Sequence, residues 1–142
     1  MTSNTHCPKP TPLEDPGQQP YWDAANRAEL ALQKCESCGE FVHPPGPGCP
    51  WCGGADLAWV SIDTNVIGTV YSFIIVHRAF LPSFVEDVPY VVALVDVDGA
   101  PGVRITANVI GVDPGDVSIG MPARMFWEER SPGRRLPQWT VA

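Results

Sequence analysis

A mainly β chain is predicted, in which a short helix and a small metal-stapled ribbon lead into a compact five-stranded barrel. Three observations predict it. Four cysteines, Cys35, Cys38, Cys49 and Cys52, stand in the pattern C-x2-C-x10-C-x2-C. After Gly53-Gly54 come short segments rich in Val, Ile and aromatics, parted by turn residues. The 16 prolines and 13 glycines among 142 residues favour turns and short strands over long helices.

Composition narrows the function classes. A hydrophobic share of 44% supports a real core, and no apolar run approaches the length of a membrane span. The formal net charge of −7, with only nine Lys and Arg, argues against a duplex nucleic-acid binder, because neutralising phosphates needs a basic field.

Residues 1–18 carry Pro8, Pro10, Pro12 and Pro16 and few apolar residues, so they read as an extended or disordered arm with Cys7 as a free thiol. No targeting signal is visible in them, which sets the expectation of a cytoplasmic chain. Residues 19–56 read as helix and ribbon. Pro20 opens Tyr21-Trp22-Asp23-Ala24-Ala25-Asn26-Arg27-Ala28, a short helix with Tyr21, Trp22 and Ala25 on one face. Leu30 to Lys34 alternates and runs into Cys35 as a strand, and Phe41 to His43 is its return. Gly39 and Gly53 each follow the second cysteine of a pair, where a tight turn faces amides toward sulfur. The two pairs supply a closed tetrahedral set for structural zinc, with no open position for substrate. Two disulfides are the alternative, disfavoured in a chain without a secretory leader. His43 reads as an exposed strand-end residue rather than a fifth ligand.

Residues 57–130 read as the barrel, with strands at Leu57 to Ile62, Ile67 to His77, Tyr90 to Val97, Val103 to Ile110 and Ala123 to Glu128. Turns at Asp63-Thr64-Asn65, Asp98 to Gly102 and Asp113 to Asp116 separate them. Five strands in so short a span suit a closed OB-fold barrel, which leaves no open edges; an open sandwich is the alternative. The segment Arg78 to Pro89 carries Phe80, Leu81 and Phe84 where a solvent loop would be polar, so these rings call for cover by the barrel, a ligand or another subunit. Residues 131–142 read as a C-terminal tail.

No Gly-x-Ser-x-Gly elbow, Walker loop, dinucleotide fingerprint or His-Glu-x-x-His occurs. His77 at a strand end is the one histidine placed for acid or base work, and such a residue is more often a polar rim group than a base. The chain therefore reads as a binding module with no catalytic residues of its own. His77, Arg78, Phe80 and Phe84, with Arg104 nearby, form the ligand-binding or partner-facing group, suited to a ligand with both apolar and phosphate parts.

In order, Tyr21-Trp22, Leu30-x-Leu-Gln-Lys-Cys-x-x-Cys-Gly, Cys49-Pro-x-Cys-Gly, Trp59, Gly68-Thr-Val-Tyr-Ser-Phe, Val76-His-Arg, Pro89-Tyr-Val-Val-Ala-Leu-Val and Asp113-Pro-x-Asp-Val-x-Ile-Gly-Met-Pro span about residues 20 to 130. This set resembles the acyl-CoA-associated family that joins a rubredoxin-like zinc ribbon to an OB fold, formerly a domain of unknown function. The resemblance implies zinc on Cys35, Cys38, Cys49 and Cys52. It also implies an accessory role beside a thiolase-fold or lipid-transfer-protein-like enzyme in a hetero-oligomer, with a CoA thioester as ligand of the complex. Family settings include archaeal thiolase and synthase assemblies and bacterial steroid side-chain breakdown. The alternatives are a partner of a MaoC-like enoyl-CoA hydratase, or a single-stranded nucleic-acid binding OB module.

Overall fold

The computed structural model describes residues 8–62 and 65–142; Cys7 and the Asp63-Thr64 part of the expected turn lie outside the described residues. The chain enters as an extended segment that ends in a 3-10 turn at Pro16–Gln18, where the Asp15 carboxylate accepts from the Gly17 amide at 3.0 Å. Helix α1 follows at Gln19–Asn26, with Pro20 in its first turn, where a missing amide hydrogen costs nothing. Tyr21, Ala24 and Ala25 are its buried face, and Trp22 is half-buried beside them.

Strands β1 (Ala31–Cys35), β2 (Phe41–Val42) and β3 (Leu57–Ser61) make a three-stranded antiparallel sheet in the order β2-β1-β3. Gln33 faces Val42 on one side and Trp59 on the other. The segment expected as the first barrel strand is thus the third ribbon strand. Its register runs from Cys35↔Leu57 to Ala31↔Ser61, so it covers the whole length of β1 on the edge opposite β2.

The barrel is closed, in the order β4-β5-β6-β8-β7, from β4 (Ile67–Val76), β5 (Tyr90–Val97), β6 (Arg104–Val109), β7 (Pro122–Ser131) and β8 (Arg134–Val141). Its fifth strand is the segment expected as a tail. Pro132-Gly133, with Gly133 at φ 74°, reverses the chain, and β8 pairs back along β7 from Ser131↔Arg134 to Ala123↔Val141. On its other side β8 meets β6 through one parallel step, Val109↔Trp139. That short seam explains how Pro137 is accommodated in a barrel strand.

One core joins the two sheets. Leu30, Leu32 and Tyr21 pack in the same cluster as Val70, Val91, Val95, Ile105 and Trp139 of the barrel, while Cys35, Val42 and Cys49 form a separate small cluster. Helix α1 is fastened to β8 by Asn26, whose side-chain oxygen accepts from the Arg135 amide and whose carbonyl accepts from the Arg135 guanidinium, both at 2.9 Å. Among the described residues no helix is long and apolar enough to cross a membrane.

Strand β4 runs close against β5 at Gly68, where an added Cβ would collide with the Asp96 carbonyl oxygen and lie 2.6 Å from a Val95 methyl. The first neighbour is backbone and cannot rotate away. Gly68→Ala is expected to cost about 2–3 kcal/mol by forcing the strands apart; a urea midpoint unchanged from the parent would contradict this.

Candidate functional site

The two cysteine hairpins are built alike. In the first, the Gly39 amide donates to the Cys35 carbonyl at 2.8 Å and the Cys35 amide to the Glu40 carbonyl at 2.9 Å. In the second, Gly53 donates to Cys49 at 2.9 Å and Cys49 to Gly54 at 2.8 Å. Gly39 and Gly53 adopt φ 79° and 76°, which a side chain would resist. The turns therefore present both sulfurs of each pair to the same point.

All four sulfurs lie within 4.8 Å of one another, with Cys35–Cys52 and Cys38–Cys49 each at 3.6 Å. A tetrahedral zinc with bonds of about 2.3 Å requires sulfurs roughly 3.8 Å apart, whereas a disulfide brings them to about 2 Å. The spacing fits zinc. Amide donation, first from Cys38, brings the Cys35 thiol down to about 7, with burial opposing. At Cys38 the Glu40 amide favours the thiolate, but burial and the neighbouring sulfurs push the thiol up to about 12. Four sulfurs this close shed their protons together only around a cation. Cys35 and Cys49 are buried and Cys38 and Cys52 exposed, so the centre sits at the rim of the ribbon, closed to substrate by its full ligand count.

His43, expected at an exposed strand end, is half-buried against Tyr21, ring centroids 5.7 Å apart. Burial lowers its pKa from 6.5. The unfolded chain therefore takes up a proton that the folded chain resists, so this stabilisation is complete above about pH 6.5 and is lost as pH falls. The thermal midpoint of the zinc-loaded protein is expected to drop from about pH 7 to 5.5, and His43→Gln to flatten that slope. An unchanged slope in the variant would remove His43 from the account. The nearby Pro44 to Gly48 loop is anchored by Gln33, a buried amide whose Oε1 accepts from the Gly46 amide at 2.9 Å.

The four partner-facing candidates differ in exposure. His77 and Arg78 are exposed just beyond β4, and Phe80 is 89% exposed on the following loop with Leu81 and Val85 also exposed. Phe84 turns inward instead, packing on Tyr90 at 6.0 Å and lying under the Lys9 ammonium at 5.4 Å. Arg104 is held on the outer face of the barrel, 3.8 Å over the Tyr71 ring and 2.9 Å from the Asp96 carboxylate.

Phe84 borders two clefts that also share Asn108 and Arg130. One, of about 360 Å³, lies among Lys9, Asp87, Tyr90 and Glu128; the other, of about 530 Å³, lies between the barrel and Trp22, His43 and Pro45. The wall between them is a polar network absent from the sequence expectations. The Gln138 amide nitrogen reaches Glu128 at 3.2 Å, its oxygen accepts from the Asn108 amide at 2.8 Å, and Arg130 pairs with Glu128 at 2.8 Å. The Glu128-x-Arg130 alternation was a usable signal for one face of a strand; nothing local marked Asn108 or Gln138.

Comparison with known proteins agrees with this geometry. Residues 22–58 match the ChsH2 rubredoxin-like zinc ribbon domain and residues 59–128 the ChsH2 C-terminal OB-fold domain. The chain is 37% identical over 134 residues to a probable enoyl-CoA hydratase alpha subunit of Thermomonospora curvata, a match covering 94% of this chain and 40% of that protein. It is 31% identical over 121 residues to the 3-oxo-4,17-pregnadiene-20-carboxyl-CoA hydratase alpha subunit of Mycobacterium tuberculosis, covering 85% of this chain and 35% of that protein. The chain thus spans two fifths or less of these curated relatives. Among solved structures, a chain of an Ltp2-ChsH2(DUF35) aldolase superposes with TM-score 0.80 at 35% identity, over 92% of this chain and 98% of that one. A zinc-spaced cysteine cluster, a five-stranded OB barrel and matches to both ChsH2 domains together show that the chain belongs to the ChsH2-type DUF35 family.

Proposed function

We propose that this protein is a non-catalytic accessory subunit that assembles with a thiolase-fold enzyme acting on acyl-CoA. The partner is a thiolase, aldolase or synthase that cleaves or forms a carbon–carbon bond, as in the shortening of steroid or fatty-acid-like chains. The protein helps to form the acyl-CoA site, the CoA thioester is a ligand of the complex, and the reacting groups stand on the partner. The observation that carries this reading is the likeness over 98% of a chain belonging to an aldolase with a two-component name. The metal supports it, since a closed four-sulfur set shapes a surface and offers no reaction position.

The exposed loop is the proposed contact. Phe80, at 89% exposure, spends no burial on this chain's own fold. Phe80→Asp is expected to leave the unfolding midpoint within about 0.5 kcal/mol of the parent, as for a surface change, while weakening assembly at least tenfold. Co-purification of the variant at parental yield with the partner would reject this loop as the contact.

A second reading, a partner of a MaoC-like enoyl-CoA hydratase, is favoured by the hydratase names of the two curated relatives. Reconstitution with each enzyme class in turn separates the two. The nucleic-acid reading is opposed by the charge of −7, and absence of a gel shift with single-stranded DNA and RNA at low salt is the expected result.

A further inference from the structure

We propose that the barrel face around Phe84, Asp87, Arg130 and Arg134 is a recognition track for an extended proline-rich segment, filled here by the chain's own residues 9–14. The part of the arm from Lys9 onward is extended and held against the barrel. Arg130 Nη1 donates to the Pro10 carbonyl at 2.6 Å and Arg134 Nη2 to the Pro12 carbonyl at 2.8 Å. Two guanidinium groups thus read carbonyls two residues apart. The ends are matched by charge. Lys9 pairs with Asp87 at 2.6 Å over the Phe84 ring, and Glu14 lies 3.6 Å from Arg134.

The segment's chemistry defines the occupant. Pro10 and Pro12 have no amide hydrogen, so Lys9-Pro-Thr-Pro-Leu-Glu14 accepts at those positions without donating and has no continuous strand edge to add to the barrel. Proline also pre-sets the extended form, so that little order is lost on binding. The track therefore selects a cation, two prolines at alternate positions and a carboxylate, in that order. Arg130 is oriented for this by Glu128, at 2.8 Å, with only 10% of its side chain exposed. Arg134 Nε is buried with no partner among the described residues, a donor that residues 9–14 leave unused.

The hold is reversible in character. No residue from 8 to 17 is buried, Leu13 is 88% exposed, and the contacts are charged and near the surface. Exposed pairs of this kind are weak and screened by salt. Lys9 also lines the cleft of about 360 Å³, so release of the segment removes part of that wall. The same segment from a second copy of this chain can then take its place.

The test uses the full chain carrying Lys9→Glu and Glu14→Lys, in which both ends of the segment face like charge, and a synthetic peptide of residues 8–16. Zinc content and the thermal midpoint verify the fold. The amides of Thr11 and Leu13 are expected to gain fast motion in the variant, and the peptide to bind it at least tenfold tighter than the parent. In the parent a tethered segment competes at an effective concentration on the order of millimolar. Ring signals of Phe84 and Tyr90 should shift on binding, and adding Arg134→Ala should weaken the peptide at least fivefold. Unchanged motion of Thr11 and Leu13, equal affinity for both proteins, no binding to the variant, or indifference to Arg134→Ala would each overturn the proposal.

Discussion

Replacing Trp139 with alanine is expected to destabilise the protein by about 3–5 kcal/mol, a large part of the roughly 5–15 kcal/mol that holds a typical domain folded. Trp139 is fully buried on β8, and its indole donates to the Ile105 carbonyl at 3.3 Å. It stands at the one residue where β8 bridges to β6, so the cavity would open at the closing seam of the barrel. Truncation there opens a cavity in the cluster that Trp139 shares with Val91, Ile105 and Met125, and removes the indole donor to the Ile105 carbonyl. Urea unfolding followed by far-ultraviolet dichroism measures the loss, and a change below about 1 kcal/mol would show that the C-terminal strand adds little to the barrel.

The second large effect concerns the cysteines. Cys38→Ser or Cys49→Ser is expected to abolish metal binding and unfold the hairpins, because structural zinc in small sites supplies on the order of 10–16 kcal/mol of folding free energy. The barrel should persist. Cys35, Val42 and Cys49 pack in their own cluster, apart from the continuous core that includes Leu30, Leu32 and the barrel. Amide signals from about residues 36 to 56 should collapse toward random-coil positions while those of β4 to β8 keep their dispersion. Elemental analysis should give about one zinc per parent chain, as one four-sulfur site requires. Cooperative loss of every β signal on chelation would contradict the separation of the two clusters.

The metal centre was legible in the sequence because its ligand spacing and both glycines are local, and local chemistry needs no knowledge of the fold. Strands β4, β5 and β6 were legible for the same reason, since alternation and turn residues bound them. The number of barrel strands was right but one member was wrong. Leu57–Ser61 looks like any half-buried strand, and only its pairing with β1 assigns it to the ribbon. Arg134-Arg135-Leu136-Pro137 looks like a tail, because two cations and a proline outweigh the Gln138-Trp139 that the barrel buries. The hold on Pro10 and Pro12 was not legible, because its donors, Arg130 and Arg134, lie about 120 residues away in the chain. Phe84 and Phe80 are alike in sequence, yet one turns under Lys9 and the other faces solvent.

The most direct test of the central claim is reconstitution of acyl-CoA turnover from separately purified chains. This protein alone is expected to show no turnover of an acyl-CoA substrate, and its addition to the partner to raise the partner's rate at least tenfold, with Phe80→Asp failing to do so. Full activity of the partner without this chain, or turnover by this chain without the partner, would contradict an accessory role.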